Sequence, residues 1–384
     1  MQLKKHKTMI DTVILAIPRK RMITLVNTTA RFPVWVPHSK TKGCTIYVKN
    51  MPKQKDDTDP YYPRLTGYIR NIGVSETSMV HIEFSITKLL CNNNLEEVEE
   101  SYFLVVIDAL HSKLVEMGES VTKADLISAQ IMTFHPSKNI VITGGYTAYG
   151  IIKELSKINI TRKFDLTKVT FKNEGQAVQL YSISHSVVFY DKIADMNQKP
   201  KKAVDKDQTP RQFSLFEEVK KRNTPLEVLR IEIRFKKRKM NEMLEKLGFQ
   251  KNPTFKEIFK KDVCQKIVKW YWDTMVKGEN LFLFELGNNP KQLLKDILRT
   301  DENIKAISAV TFVGLDVLCR DGDGIRELRS ILEKRIKTRN WYVIGDRINK
   351  LNQFLRDRPL HNWVKEIEDT INSFSALKIN NKSP

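Results

Sequence analysis

Four cysteines in 384 residues leave little room for covalent bracing. Cys44, Cys91, Cys264 and Cys319 are widely scattered and form no C-x-x-C pair, which argues against a disulfide framework and a zinc knuckle. Long apolar runs are missing too, since none approaches the roughly 18–20 residues that span a bilayer. The first strongly apolar stretch, Val13 to Ile17, is too short for a signal peptide and follows Asp11, so a cytoplasmic chain is expected. No internal repeat is found. Gly144-Gly145 lacks the spacing and the Gly-Lys-Ser/Thr ending of a phosphate loop. Asp321-Gly322-Asp323-Gly324 lacks the remaining ligands of a calcium loop and reads as a turn.

Acidic residues are also in deficit: 45 Asp and Glu stand against 65 Lys and Arg, a net charge of +20. Such an excess favours a polyanionic partner, nucleic acid above an anionic membrane. No basic amphipathic segment carries the bulky apolar face that membrane anchoring needs, so no membrane partner is expected. A hydrophobic content of 41% supplies a sizeable core, and the length suits two domains or three.

Strand-like runs dominate the N-terminal half: Ile10 to Ile17, Thr45 to Lys49, Leu65 to Arg70, Val80 to Ile86 and Leu126 to Phe134. Phe103, Ile107, Leu110, Leu114 and Met117 mark one helix face, closed by Gly118. Tyr146 to Ile158 is a second helix, Val178 to Tyr190 a hairpin, and Leu226 to Phe235 a further strand. Many connections are too short for crossover helices. An α+β fold is therefore expected, an antiparallel sheet with helices on one face, followed by an α-helical C-terminal region. Gln198 to Gln212, charged and proline-containing, reads as a linker interrupting a first domain of residues 1–245. Residues 246–384 form the expected helical accessory or DNA-binding domain, where Ile344, Ile348, Leu351 and Leu355 repeat at helical spacing until Arg358-Pro359.

Two strands share a pattern. In Val80 to Ile86 the polar face carries His81, Glu83 and Ser85; in Leu229 to Phe235 it carries Arg230, Glu232 and Arg234. Each places one carboxylate mid-face, as a divalent cation sharing a substrate phosphate requires. A solvated face of a one-sided antiparallel sheet gives the same alternation. His135, which ends a strand just before Pro136, could be a ligand, a base or a turn residue. If the strand-like run Val187 to Lys192 is one continuous strand, Tyr190 and Lys192 point the same way, and an ammonium would favour the phenolate; an aromatic packed at a strand end is the simpler alternative. The run Arg234 to Lys239, with Lys236, Lys237 and Arg238, reads as a phosphate-contacting patch. Trp270-Tyr271-Trp272 fits helix-core aromatics better than base stacking.

Taken in order, these segments resemble the filamentous-phage gene II (phage X) family of replication endonucleases and its plasmid relatives. The matching pieces are Met9 to Leu15, which leaves Met1 to Thr8 as a short basic extension; Tyr62-Pro63-Arg64-Leu65-Thr66; His81 to Asn94; and Phe134 to Ile140. Asn173-Glu174-Gly175, Phe189-Tyr190-Asp191-Lys192 and Leu229 to Arg234 follow. The resemblance covers about residues 9–240 and fades beyond Gly248. The His-hydrophobic-His signature of the wider rolling-circle nickases is absent, with His81-Ile82-Glu83 and lone His135 in its place.

The resemblance implies a rolling-circle initiator in a bacterial host cell that nicks one DNA strand. Mg²⁺ or Mn²⁺ on Glu83, His135 and Glu232 would polarise the phosphate, and Tyr190 would attack with Lys192 beside it. Tyr181 is the alternative nucleophile. Arg230, Arg234, Lys236, Lys237, Arg238, Lys239 and Lys138 are the expected nucleic-acid contacts. The partners implied are single-stranded or supercoiled origin DNA and the host helicase and polymerase. A non-catalytic origin-binding or copy-control protein is the rival reading. An RNA binder is disfavoured, because it predicts stacking aromatics on the sheet surface where these strands put carboxylates.

Overall fold

In the computed structural model of the chain, residues 10–25, 33–41, 43–51, 61–72, 75–91, 95–158, 170–172, 176–196, 226–277, 290–322, 324–333, 338–355 and 360–377 are described. The strands are β1 (Ile10–Pro18), β2 (Ile23–Thr24), β3 (Val36–Thr41), β4 (Cys44–Lys49), β5 (Arg64–Ile72) and β6 (Ser75–Ser85). They continue as β7 (Glu119–Ser120), β8 (Gln130–Ile142), β9 (Thr170–Lys172), β10 (Ala177–Tyr181), β11 (His185–Asp191) and β12 (Glu227–Phe235). Ten of them form one sheet in the order β3-β4-β5-β6-β1-β8-β12-β11-β10-β9, antiparallel throughout; β2 and β7 pair separately.

Register decides which residues share a face. Val13 pairs with Phe84 and Phe134, Leu15 with Ile82, Ile231 with Phe189, and Ile233 with Val187. All are buried in one core, which the helices at 103–116, 148–155, 237–246, 261–271 and 362–373 complete. The helix at Phe103–Glu116 buries Val106, Ile107, Leu110 and Leu114, the spacing of one helical face. Gly118 then takes φ +74°, a backbone region open to glycine without Cβ strain, and its N–H bonds the carbonyl of Val115 at 2.9 Å. The opposite face carries Thr12, Ser85, Glu83, His81, Ser137, Glu232, Arg230 and Tyr190, again as register partners or alternating neighbours. The short helix at Lys192–Met196 packs at one end of that face, where Ile193 joins Val228 and Leu95.

Three sequence expectations change. The strand expected from Leu126 begins only at Gln130, because Thr122 caps a helix at Lys123–Ile127 by accepting from the Asp125 N–H at 3.0 Å. His135 does not end its strand, since β8 runs through Pro136 to Ile142. Pro136, which has no N–H to give, lies where β1 breaks register between Ile10 and Val13, so the ladder loses little. The division at 245/246 does not follow the packing either. Phe255, Val263, Ile267, Trp363, Ile367 and Ile371 belong to the sheet's core, whereas Leu293, Ile297, Phe312, Trp341, Ile348 and Leu351 form a second one. The separate helical unit is therefore 290–355, and the expected linker at 198–212 lies outside the described residues.

Trp270-Tyr271-Trp272 sits on a helix with Tyr271 and Trp272 buried in the core, as the helix-core reading expects. Asp321 to Gly324 includes a turn, in which the Gly324 N–H bonds the Asp321 carbonyl at 2.8 Å. Among the described residues no helix is long and apolar enough to cross a membrane.

Candidate functional site

Side chains from four neighbouring strands converge on the face opposite the helices, near the start of β1. Because β1 begins at Ile10, opposite Pro136, the remainder of β8 runs on without it. The segment around Glu97 takes its place there: the Glu97 carboxylate accepts from the Asn139 N–H, and Leu95 accepts from the Asn139 side chain, each at 2.7 Å. On β12, the Glu232 side chain is 2% exposed and sits at the middle of a charge network. Tyr190 on β11 donates its hydroxyl to Glu232 Oε2 at 3.1 Å. Arg234 Nε donates to Oε1 at 2.7 Å, and His135 Nδ1 lies 3.5 Å from the same oxygen.

Arg230, also on β12 and 2% exposed, reaches across β8. Its Nη2 lies 2.9 Å from Asp11 Oδ1 and donates to Ser137 Oγ at 3.0 Å, while its Nε is 3.9 Å from Glu232. Lys192 does not continue the strand as expected; β11 stops at Asp191 and Lys192 opens the short helix. Even so, its ammonium lies 5.3 Å from the centre of the Tyr190 ring and 3.6 Å from Asp195. The turn into the helix thus keeps the cation beside the phenol.

Burial and charge set the protonation states. Burial pushes the Tyr190 phenol well above its usual value; Arg230 opposes that rise, and Glu232, Asp195 and Asp11 add to it. Burial alone would raise Glu232, but Arg234, His135 and Arg230 together hold its carboxyl well below the usual range. Burial and the Arg230 charge bring Lys192 down to about 8, against the pull of Asp195, Asp11 and Glu232. At neutral pH the network therefore holds a protonated phenol, an ionised acceptor and a cation whose proton is comparatively loosely held.

Of the three expected metal ligands, His135 and Glu232 come together and Glu83 does not. Glu83 lies on the same face but on β6, with β1 between it and β8, and its register partners are Ile14 and Arg64. No group of three or more His, Cys, Asp or Glu poised for a metal ion occurs among the described residues. One imidazole nitrogen and one carboxylate oxygen suit a divalent cation that takes its other ligands from water and phosphate, but Arg234 shares that oxygen.

The expected nucleic-acid contacts divide sharply. Lys138 is corrected: it faces the core, 1% exposed, with its ammonium 2.7 Å from Glu97, so no phosphate reaches it. Arg230 is buried too, but on the other face, held by Asp11 beside Tyr190. Arg234 is partly exposed but bound to Glu232. Lys236 is exposed, Lys237 reaches Met132 Sδ at 3.6 Å, and Arg238 and Lys239 pair with Glu242 at 2.9 and 3.3 Å. Tyr181 shares the face of Tyr190 at the far end of the hairpin, opposite Ser186. Asn173-Glu174-Gly175 lies outside the described residues.

Asp11 was missed as a functional residue. Its signal was faint, a lone carboxylate opening an apolar strand, and its partner lies 219 positions away. Comparisons with protein-family models, with curated proteins and with solved structures returned no match.

Proposed function

We propose that the chain is a rolling-circle replication initiator that nicks one strand of origin DNA with Tyr190 as nucleophile. The observation that carries this reading is the Tyr190 hydroxyl, 3.1 Å from an ionised carboxylate and flanked by the cations Arg230 and Lys192. Attack of the phenol oxygen on phosphorus would form the 5′-phosphotyrosine ester and break the bond to the 3′-oxygen. Glu232, as acceptor of its hydrogen bond, orients the phenol, whose proton leaves to solvent, and the departing 3′-oxygen takes up a proton from water. The ester keeps the phosphodiester's energy, so a later 3′-hydroxyl can rejoin the strand without a nucleotide cofactor. Arg230 and Lys192 balance the charge that develops at phosphorus, and Asp11 and Ser137 fix where the Arg230 guanidinium stands.

His135 and Glu232 would hold a divalent cation, Mg²⁺ or Mn²⁺, which when bound supplies Lewis-acid polarisation of the phosphate. Host helicase and polymerase would act on the opened strand in the cytoplasm of a bacterium. A second reading has its own support: a buried phenol in an internally balanced charge network also suits a non-catalytic DNA-binding protein with a polar seam in its sheet.

The test is incubation of the full chain with supercoiled origin DNA and metal, followed by a denaturing gel. A protein-linked DNA band is expected for wild type and for Tyr181→Phe, and its loss for Tyr190→Phe with DNA binding kept. An adduct that survives Tyr190→Phe and disappears in Tyr181→Phe would reverse the nucleophile. DNA binding with no adduct from wild type would leave the non-catalytic reading.

A further inference from the structure

The same open sheet face carries a second feature, on the far side of β1 from Tyr190. Tyr68 on β5 and His81 on β6 are half-buried, their ring centres 4.4 Å apart and their planes inclined at 49°. Register places them diagonally: Tyr68 opposes Met79, and His81 opposes Thr66 and, on β1, Ala16. Two cations from separate elements act on this pair. Arg70 is exposed two residues along β5. Lys237, at the start of the helix after β12, extends to Met132 on β8. Arg70 and Lys237 both lie within electrostatic reach of the His81 ring. Glu83 and Cys44 are also within electrostatic reach of the Tyr68 hydroxyl.

Aromatic rings on a sheet face with cations around them suit unpaired nucleotides: bases stack on the rings and phosphates meet the charges. Duplex bases are already stacked and offer no free face. From β5 to β11 is five strand spacings, roughly 24 Å at about 4.8 Å each, so a short run of nucleotides crossing the strands would reach Tyr190. This position differs from the sequence expectation that the sheet surface offers carboxylates and no stacking aromatics.

We propose that Tyr68 and His81 form a base-stacking subsite for single-stranded DNA, with Arg70 and Lys237 contacting its phosphates, on the strand that leads to Tyr190. The subsite deepens the nicking reading and rests on it for the strand's destination.

The test uses the full chain, a fluorescein-labelled oligothymidylate and, in parallel, an oligothymidylate carrying 5-iodouracil for photocrosslinking. Tyr68→Ala and His81→Ala should each weaken single-strand binding about tenfold. Tyr68→Phe should bind like wild type, and duplex binding should not change in any of them. The wild-type crosslink should map to Tyr68 or His81, which holds even if an alanine variant fails to fold. Unchanged affinity in a folded Tyr68→Ala, or a crosslink confined to the helical unit at 290–355, overturns the subsite. Tighter binding of an oligouridylate RNA than of the DNA overturns the choice of ligand. Crosslinking at Tyr68 with no covalent adduct at Tyr190 keeps the subsite and removes the nickase, whereas a normal adduct with no Tyr68 effect does the reverse.

Discussion

Strands β6 and β12 carry the same alternation, yet their central carboxylates occupy different surroundings. Glu232 is 2% exposed, with Tyr190, Arg234, His135 and Arg230 around it. Glu83 is half-buried, beside Ile14 on one side and Arg64 on the other. The neighbours make the difference. β12 lies between β8 and β11, whose residues on this face include Ser137 and Tyr190, while β6 lies between β5 and β1, and β1 offers Ile14 and Ala16. A period of two tells which face a residue occupies; what stands beside it on the adjoining strands decides whether it becomes part of a site.

The sharpest way to break this contrast is to remove each carboxylate. Glu232→Ala takes away the acceptor of the buried Tyr190 hydroxyl and of Arg234 and one of two carboxylates beside Arg230, and should cost about 3 kcal/mol or more, whereas Glu83→Ala should cost about 1 kcal/mol or less. Urea denaturation of the two variants gives the comparison, and equal losses would end it. Acid tests Glu232 in another way. Glu232 has a lowered value in the folded chain, so its contribution is present above the ordinary carboxylate range and lost as pH falls through its own lower value.

Lys192 supplies the opposite sign. Between about 8 and its ordinary 10.5, the unfolded chain keeps the lysine proton and the folded chain releases it. Stability attributable to this residue therefore rises with pH across that window. Lys192→Met should remove the rise, seen as the difference between wild-type and variant melting temperatures at pH 8 and pH 10.

The basic run after β12 tests the face from outside. Replacing Lys236, Lys237 and Lys239 by Glu should weaken binding to every DNA sequence and flatten the slope of log affinity against log salt by roughly one unit per lost contact. An unchanged slope would place the DNA elsewhere, the unit at 290–355 being next to examine. The smallest effect concerns Ser137→Ala, which removes one hydrogen bond to Arg230 and should cost about 1 kcal/mol in the same urea titration.

Much of the frame was legible because it depends on local pattern. The helix at 103–116 with its glycine stop, the hairpin of β10 and β11, and the strands β1, β4, β5 and β12 all follow from periodicity and turn residues. The site was legible only where residues sit on adjacent strands in matching register, as Tyr190, Arg230 and Glu232 do. Asp11 and Lys138 were not, because long-range partners decide their roles: Asp11 by an arginine that reaches over β8, and Lys138 by Glu97 on the segment that covers this edge of β8. The strand at Pro136 was likewise set by its neighbour, since only the pairing with β1 reveals where a missing N–H is tolerated.

The core beneath the sheet is closed by late parts of the chain. Trp363, Ile367 and Ile371 belong to the same buried core as Val13 and Phe84, Glu366 accepts from the Thr143 N–H across 223 positions, and the Leu377 N–H bonds Glu97 across 280. Sequence separations of that size slow folding, because loop-closure entropy is lost before the contacts are gained. On a ribosome the N-terminal strands emerge long before their last cover, and the unit at 290–355 is synthesised in between. The apolar underside of the sheet thus stays incomplete until residues 362–373 have been made, an interval in which its exposure favours aggregation or capture by a chaperone.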